Sequence, residues 1–275
     1  MNDPSSLFNI QDKTAVITGG GGALGGAMAR ALAQAGARVV VINLHQESAE
    51  RAVAAIRTGG GQAIGIACDV RERAALERAR ELVTEAFGHV DILVNAAGGN
   101  QAGATTSAEL SFFDLDKQAI QDVFNLNFAG TLYSCQVFGS DMAERKQGCI
   151  VNIASMNAVR PLTRIPAYSA AKAAVANFTQ WLAVHMAREY SPAIRVNAIA
   201  PGFFLTAQNR YLLTDRESGA MTPRGAAILQ HTPLGRLGDP DDLAGTLLWL
   251  VSPASAFVTG IVVPVDGGFA SYSGV

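Results

Sequence analysis

The chain is poor in cysteine, in charge and in lysine, and each shortage argues against a class of function. Its 275 residues hold three cysteines, Cys68, Cys135 and Cys149, odd in number, widely spaced and without a CxxC pair. That speaks against a disulfide framework or a zinc knuckle, leaves no metal site in prospect, and fits a reducing cytoplasm. Each thiol reads as a small buried core residue. Charged residues make up 16%, the net charge is −2 and no basic block stands out. Neither nucleic acid nor an anionic membrane is therefore expected as a partner. The opening MNDPSSLFNIQDK is polar and lacks the apolar stretch of a secretory signal. No run of about 18 apolar residues is free of charges and breakers, so no membrane-spanning helix is expected. Apolar residues, by contrast, reach 49%, ample for one large domain with a buried core.

What is there alternates. TAVIT (14–18), RVVVIN (38–43), AIGIACDV (63–70), DILVNAAG (91–98), CIVNIAS (149–155), IRVNAIA (194–200) and GIVVPVD (260–266) are short apolar runs that read as strands. Between them lie stretches of helical spacing. The first runs from a glycine cluster to a Gly36 cap; QESAERAVAAIRTGG and ERAALERARELVTEAFG follow, then segments near 118–145, 168–190 and 240–251. Strands apolar on both faces belong in a parallel sheet covered by helices on both sides. The expected class is α/β: a single doubly wound Rossmann-type domain over residues 1–275, with about seven parallel strands. Two insertions, 99–117 and 203–234, follow strands. They lie on the carboxyl-end side of the sheet, where ligands bind in such folds. The second reads as a substrate lid.

Glycines crowd the first strand-to-helix turn, in VITGGGGALGGAMA. Such a turn lets the backbone approach a pyrophosphate, and the helix N-terminus offers free N–H groups and a positive dipole end. Further on come NAAG (Asn95 to Gly98), Ser155, Y-x-x-x-K (Tyr168, Lys172) and PGFFLT (201–206). With T-G-x-x-x-A-x-G (Thr18, Gly19, Ala23, Gly25) and in this order, these motifs resemble the short-chain dehydrogenase/reductase family over almost the whole chain. The resemblance implies an NAD(P)-dependent oxidoreductase. It implies dinucleotide contacts at Gly19, Gly22, Ala23, Leu24 and Gly25, at Asp69 and Val70 by the adenine, and at Asn95, Ala96 and Gly98. Pro201, Gly202, Phe204 and Thr206 would lie against the nicotinamide. Ala23 stands where a glycine is commoner, and NAAG where NNAG is usual; neither change removes a group the reaction needs.

A carboxylate at the end of the second strand would bind the adenosine ribose and repel a 2′-phosphate. Here that position is Asn43, followed by Leu44, and no lysine or arginine sits in the glycine loop. The NAD-selecting acid is missing, and so is the usual cation for NADP. NAD(H) is favoured over NADP(H), because an unpaired buried 2′-phosphate is costly.

The chain has only four lysines, and Lys172 stands one helical turn after Tyr168. A phenol ionises near pH 10, and a nearby ammonium favours the phenolate. A shift of about 3 units would correspond to roughly 4 kcal/mol. Such a phenol can take a proton from an alcohol, or give one to a carbonyl, while hydride moves to or from nicotinamide. The lysine head would also hold the nicotinamide ribose. The resemblance implies that Ser155 polarises the substrate oxygen and that Asn127 holds a water of the proton relay.

Arg160 and Arg164 lie between Ser155 and Tyr168, on a loop with Pro161 and Pro166. An arginine fork suits a carboxylate. Asn157, Gln208 and Arg210 add candidate substrate contacts, and amides with arginines suit a polyhydroxy acid. The wider pattern, with HTPLGRLG and AFVTGIVVPVDGGFASYSGV, resembles the D-mannonate oxidoreductase (fructuronate reductase) branch of the family. That implies reduction of the ketone of D-fructuronate. A dehydrogenase of another polyol, ketose or cyclitol stays open, with the arginines returned to the scaffold. A dinucleotide sensor without chemistry would have no use for Ser155, Tyr168 and Lys172 together. The apolar tail is expected against a neighbouring subunit, and the resemblance implies a homotetramer.

Overall fold

Unbroken runs of valine and isoleucine make strands whose two faces must both be covered. The computed structural model, which describes residues 4–206, 210–215 and 218–274, buries the inner strands in this way and leaves the two edge strands only partly covered. The strands are β1 (Thr14–Thr18), β2 (Arg38–Asn43), β3 (Ala63–Ala67), β4 (Ile92–Asn95), β5 (Gly148–Ile153), β6 (Ile194–Pro201) and β7 (Val262–Val265). They form one parallel sheet in the order β3-β2-β1-β4-β5-β6-β7. The chain grows outward from β1 to β3 and then returns to start β4 on the other side of β1. The switch point therefore falls between β1 and β4. The pairings Thr18↔Asn95 and Asn95↔Asn152 bring three carboxyl ends into one row beside it.

The helices are α1 (Ala23–Gln34), α2 (Gln46–Thr58), α3 (Arg73–Phe87), α4 (Lys117–Phe124), α5 (Gly130–Arg145), α6 (Pro166–His185), α7 (Arg210–Leu213), α8 (Pro223–Gln230) and α9 (Ala244–Val251). Successive strand residues face opposite sides of the sheet. Ile17, Val39 and Val41 pack with Met28 and Leu32 of α1, Val53 of α2 and Leu247 of α9. Val16, Val40 and Leu93 pack with Leu76 and Val83 of α3, Phe138 and Met142 of α5, and Leu182 of α6. Phe138 is fully buried, and truncating it to alanine would remove roughly 4 kcal/mol.

The third strand ends at Ala67, not Val70. The Asp69 carboxylate accepts from Arg71 N–H and turns the chain there. The fourth stops at Asn95. The 118–145 segment is helical throughout, but a π-type turn, Asn125–Ala129, separates α4 from α5. The helix placed at 168 starts at Pro166, whose missing N–H is no loss in a first turn. It closes with a second π-type turn, Met186–Tyr190. The insertion 203–234 is not wholly irregular: it contains α7 and α8. Thr222 caps α8 by accepting from Gly225 N–H at 3.1 Å, and Pro223 opens it. Gln208 and Asn209 lie outside the described residues. Among the described residues no helix is long and apolar enough to cross a membrane.

Candidate active site

At the carboxyl ends of the strands, over the switch point, lies a cavity of about 760 Å³, within the size range of small-molecule sites. One end is the glycine loop. Gly19 has φ +67°, and a Cβ there would come within 2.7 Å of the Ala96 carbonyl and the Ala97 backbone. A Cβ on Gly25 would collide with the Gly19 carbonyl. Gly22 is the N-cap of α1 and offers no capping side chain. The first N–H groups of α1 are therefore left for a ligand, the arrangement that binds an anion. Ala23 and Leu24 complete this wall.

The cavity continues along Asn43, Leu44, Asp69 and Val70. Asn43 Oδ1 accepts from Gly21 N–H at 3.3 Å, so the residue that replaces the expected acid also fastens the glycine loop. Five residues of this wall go unnoticed in the sequence: Ile42, His45, Ser48, Cys68 and Arg71. Arg71 makes a forked pair with Asp69, Nη2 to Oδ2 at 2.6 Å and Nε to Oδ1 at 3.0 Å. That hydrogen bonding holds the Asp69 carboxyl below its ordinary range. Ion pairing next to the acid is visible in CDVRE only once the strand is known to end before it.

The other end of the cavity gathers Ala96, Gly98, Ser155, Tyr168, Lys172, Pro201, Gly202, Phe204 and Thr206. Gly99, Gln101 and Leu126 also line it. Strand β5 delivers Ser155 just beyond its end, and α6 places Tyr168 and Lys172 one turn apart. Lys172 is buried, and its Nζ donates to the Ile153 carbonyl at 2.8 Å. It lies 5.6 Å from the centre of the Tyr168 ring. Burial pushes the Lys172 ammonium down to about 8. Burial also pushes the Tyr168 phenol above its ordinary value, while a hydrogen bond from Ser155 works the other way. The direction is opposite to the one inferred from the sequence, because loss of solvation disfavours the phenolate.

Asn95 is not in the wall. It is buried beneath it, Nδ2 donating to Asn152 Oδ1 at 2.9 Å and to Cys135 Sγ at 3.2 Å. Asn152 Nδ2 in turn donates to Thr179 Oγ1 of α6 at 2.9 Å. Asn127 is also buried. Its Nδ2 donates to the Val123 and Gly99 carbonyls, both at 2.7 Å, and its Oδ1 accepts from Gly99 N–H at 3.3 Å. The π-type turn rotates this side chain inward, where it holds the loop that follows β4. A Cβ on Gly98 would sit 2.6 Å from Asn127 Oδ1 and 3.2 Å from Lys172 Nζ, so only glycine lets the three meet.

The substrate candidates divide. Asn157 is buried, with Nδ2 donating to Ser155 Oγ at 3.3 Å and Oδ1 accepting from Leu162 N–H at 3.0 Å. Each end of its amide thus has a partner inside the loop. Arg160 Nη1 donates to the Tyr272 carbonyl at 2.8 Å. The tail therefore packs on its own chain, where Tyr272 and Phe269 also meet the ring of His231. Arg164 and Arg210 are exposed. Arg164 has φ +78°, and its carbonyl accepts from Thr106 N–H at 2.8 Å, which ties the arginine loop to the 99–117 insertion.

The three cysteines are buried. Burial raises Cys68 to about 11 and Cys135 to about 12, so neither supplies a thiolate near neutrality.

Comparison with known proteins agrees with this fold. Residues 21–270 match a family profile described as enoyl-(acyl carrier protein) reductase. An oxidoreductase of Bacillus subtilis named UxuB, itself uncharacterized, is 49% identical, over 97% of this chain and 98% of its own. The crystal structure of a Haemophilus influenzae protein, provisionally described as a D-mannonate oxidoreductase and holding NAD, superposes with a TM-score of 0.91. It is 46% identical and covers 97% of this chain and 98% of that one. A gluconate 5-dehydrogenase from Burkholderia cenocepacia, in complex with NADP and tartrate, gives a TM-score of 0.86 at 32% identity, over 97% and 98% of the two chains.

Proposed function

This chain belongs to the short-chain dehydrogenase/reductase family, and on that premise we propose that it interconverts a ketone and a secondary alcohol on a sugar acid, D-fructuronate and D-mannonate being the pair. It is an NAD(P)-dependent oxidoreductase; the substrate and the residue roles are our reading. The observation that carries it is one cavity with an anion-binding glycine turn at one end and Ser155, Tyr168 and Lys172 together at the other.

The residues fit a dinucleotide. The free first turn of α1 suits the pyrophosphate, and Asn43 with Asp69 lines the adenosine end. A bound nicotinamide would supply or accept the hydride. The chain's own groups handle the oxygen and its proton. Ser155 hydrogen-bonds to the substrate oxygen. Tyr168 holds the proton that this oxygen receives in reduction, and a phenol raised above its ordinary value stays protonated at neutral pH. Lys172, charged below about pH 8, stabilises the phenolate that forms. Asn127 fixes the loop at Gly98 and Gly99 against Lys172.

NAD(H) is the proposed cofactor. The one arginine noted at the adenosine end is already paired with Asp69, and the similar Haemophilus protein holds NAD. For the acid, Arg164 is the candidate partner. A non-glycine residue at positive φ is strained, and such strain gathers at ligand sites. The sugar-acid names of the similar Haemophilus and Burkholderia proteins support the same class. Replacing Tyr168 by Phe is expected to abolish turnover, while titration with NADH by fluorescence gives unchanged binding. Turnover at the wild-type rate by that variant would overturn the mechanism.

A further inference from the structure

A serine hydroxyl has one hydrogen and two acceptor sites. Its usefulness in a reaction depends on where the hydrogen points. Ser155 is buried, and two donors reach its Oγ, both from Asn157: the backbone N–H at 3.2 Å and Nδ2 at 3.3 Å. The direction of the amide is fixed independently. Oδ1 accepts from Leu162 N–H at 3.0 Å, and the reversed amide would set two N–H groups against each other. Met156–Ala158 forms a tight turn that Arg160 N–H closes onto the Met156 carbonyl at 2.8 Å. The donors therefore stand on a braced loop.

We propose that Asn157 is a positioning residue: by filling the acceptor side of Ser155 it aims the serine proton into the cavity, at the oxygen that Tyr168 also serves. Two donors into Oγ also polarise the O–H bond and make it a stronger donor. Before the substrate arrives that proton lies toward the Tyr168 oxygen, beside which the reacting oxygen must sit, so a small turn of the hydroxyl brings it to bear. This rests on the roles given above to Ser155 and Tyr168.

Two substitutions separate aiming from bracing. Asn157→Asp keeps an acceptor for Leu162 N–H, and so keeps the loop. An ionised carboxylate has no hydrogen for Ser155, however; it accepts from the serine and swings the proton away. Asn157→Ala gives up the Leu162 bond but leaves the backbone N–H on Oγ. The expected result at pH 8 is a loss of kcat on the order of 100-fold for Asn157→Asp and about tenfold for Asn157→Ala, with KM for NADH unchanged in both. The Asn157→Asp profile should recover toward acid pH, where the introduced carboxyl group is protonated and donates again. In a Ser155→Ala background neither change should lower kcat further. If Asn157→Asp proves as active as Asn157→Ala or more so, Asn157 only braces the loop and the proposal fails. Should Asn157→Asp not fold, Asn157→Ala alone decides. Its kcat in the oxidative direction should need a higher pH than the wild type, because the Ser155 bond that favours phenolate is weakened; an unshifted profile overturns the proposal. Normal turnover by Tyr168→Phe would instead overturn the underlying mechanism, so the two failures are distinguishable.

Discussion

Single residues carry the chemistry here, and their protonation should be readable in rates. Lys172 is charged below about pH 8 and neutral above it. In the reductive direction its charge stabilises the phenolate left on Tyr168. The reduction rate should therefore be flat below pH 8 and fall as the pH rises through it. Lys172→Met should lower the rate and remove that limb; a wild-type profile flat to pH 10 would contradict the role. Arg164 allows a cleaner separation than most binding residues. Its φ of +78° suits glycine better than arginine, so Arg164→Gly keeps the backbone conformation while removing the side chain and its guanidinium. KM for a hexuronate should rise about tenfold or more, while KM for a neutral ketose stays put. An equal rise for both would return Arg164 to the scaffold.

Elements place these residues, and a buried polar chain locks the elements together. Asn95 of β4 bonds Asn152 of β5, which bonds Thr179 of α6. The strand that leads into Ser155 is thus fastened to the helix that bears Tyr168 and Lys172. Thr179→Val removes the partner of a buried amide nearly without changing shape. It should destabilise the protein by about 1–3 kcal/mol, measured as a drop in the denaturant midpoint with an unchanged slope; an unmoved midpoint would show that the chain carries no load. Most elements were legible in the sequence. Strands β1 and β2 fall where the apolar runs lie, because both faces are buried and the signal is continuous. The π-type turn at Asn125–Ala129 left no trace, since one extra residue hardly disturbs a helical pattern. The cap of α8 was present in Thr222-Pro223, but it sits in a glycine- and charge-rich stretch that reads as loop.

At the scale of the molecule, the site occupies the carboxyl ends of the strands and a charge cluster secures their amino ends. Asp91, just before β4, accepts from Thr14 N–H at 3.0 Å and from Arg145 Nη2 at 2.9 Å, with Lys13 and His89 beside it. Burial disfavours its charge, but these partners prevail and its carboxyl lies below the ordinary value. A carboxylate depressed in the folded state adds stability above its unfolded pKa, near 4, and loses it as pH falls through the folded value. Asp91→Asn should remove about 2 kcal/mol at neutral pH and blunt acid unfolding. Identical acid-unfolding midpoints for the two proteins would refute this. Long-range pairings of this kind were not legible: residues 13, 14, 91 and 145 meet only after the sheet is assembled. The same holds for Asn157 and Arg160. Their residue types suggested a substrate, and only the folded loop and tail reveal that each already has a partner in the chain.

The reading stands or falls on the reaction itself. The most direct measurement is NADH and NADPH oxidation by the purified protein with D-fructuronate, beside a panel of neutral ketoses. The account predicts fast turnover of the hexuronate with NADH, and slow or no turnover of the neutral sugars. A neutral ketose reduced faster than D-fructuronate would contradict it.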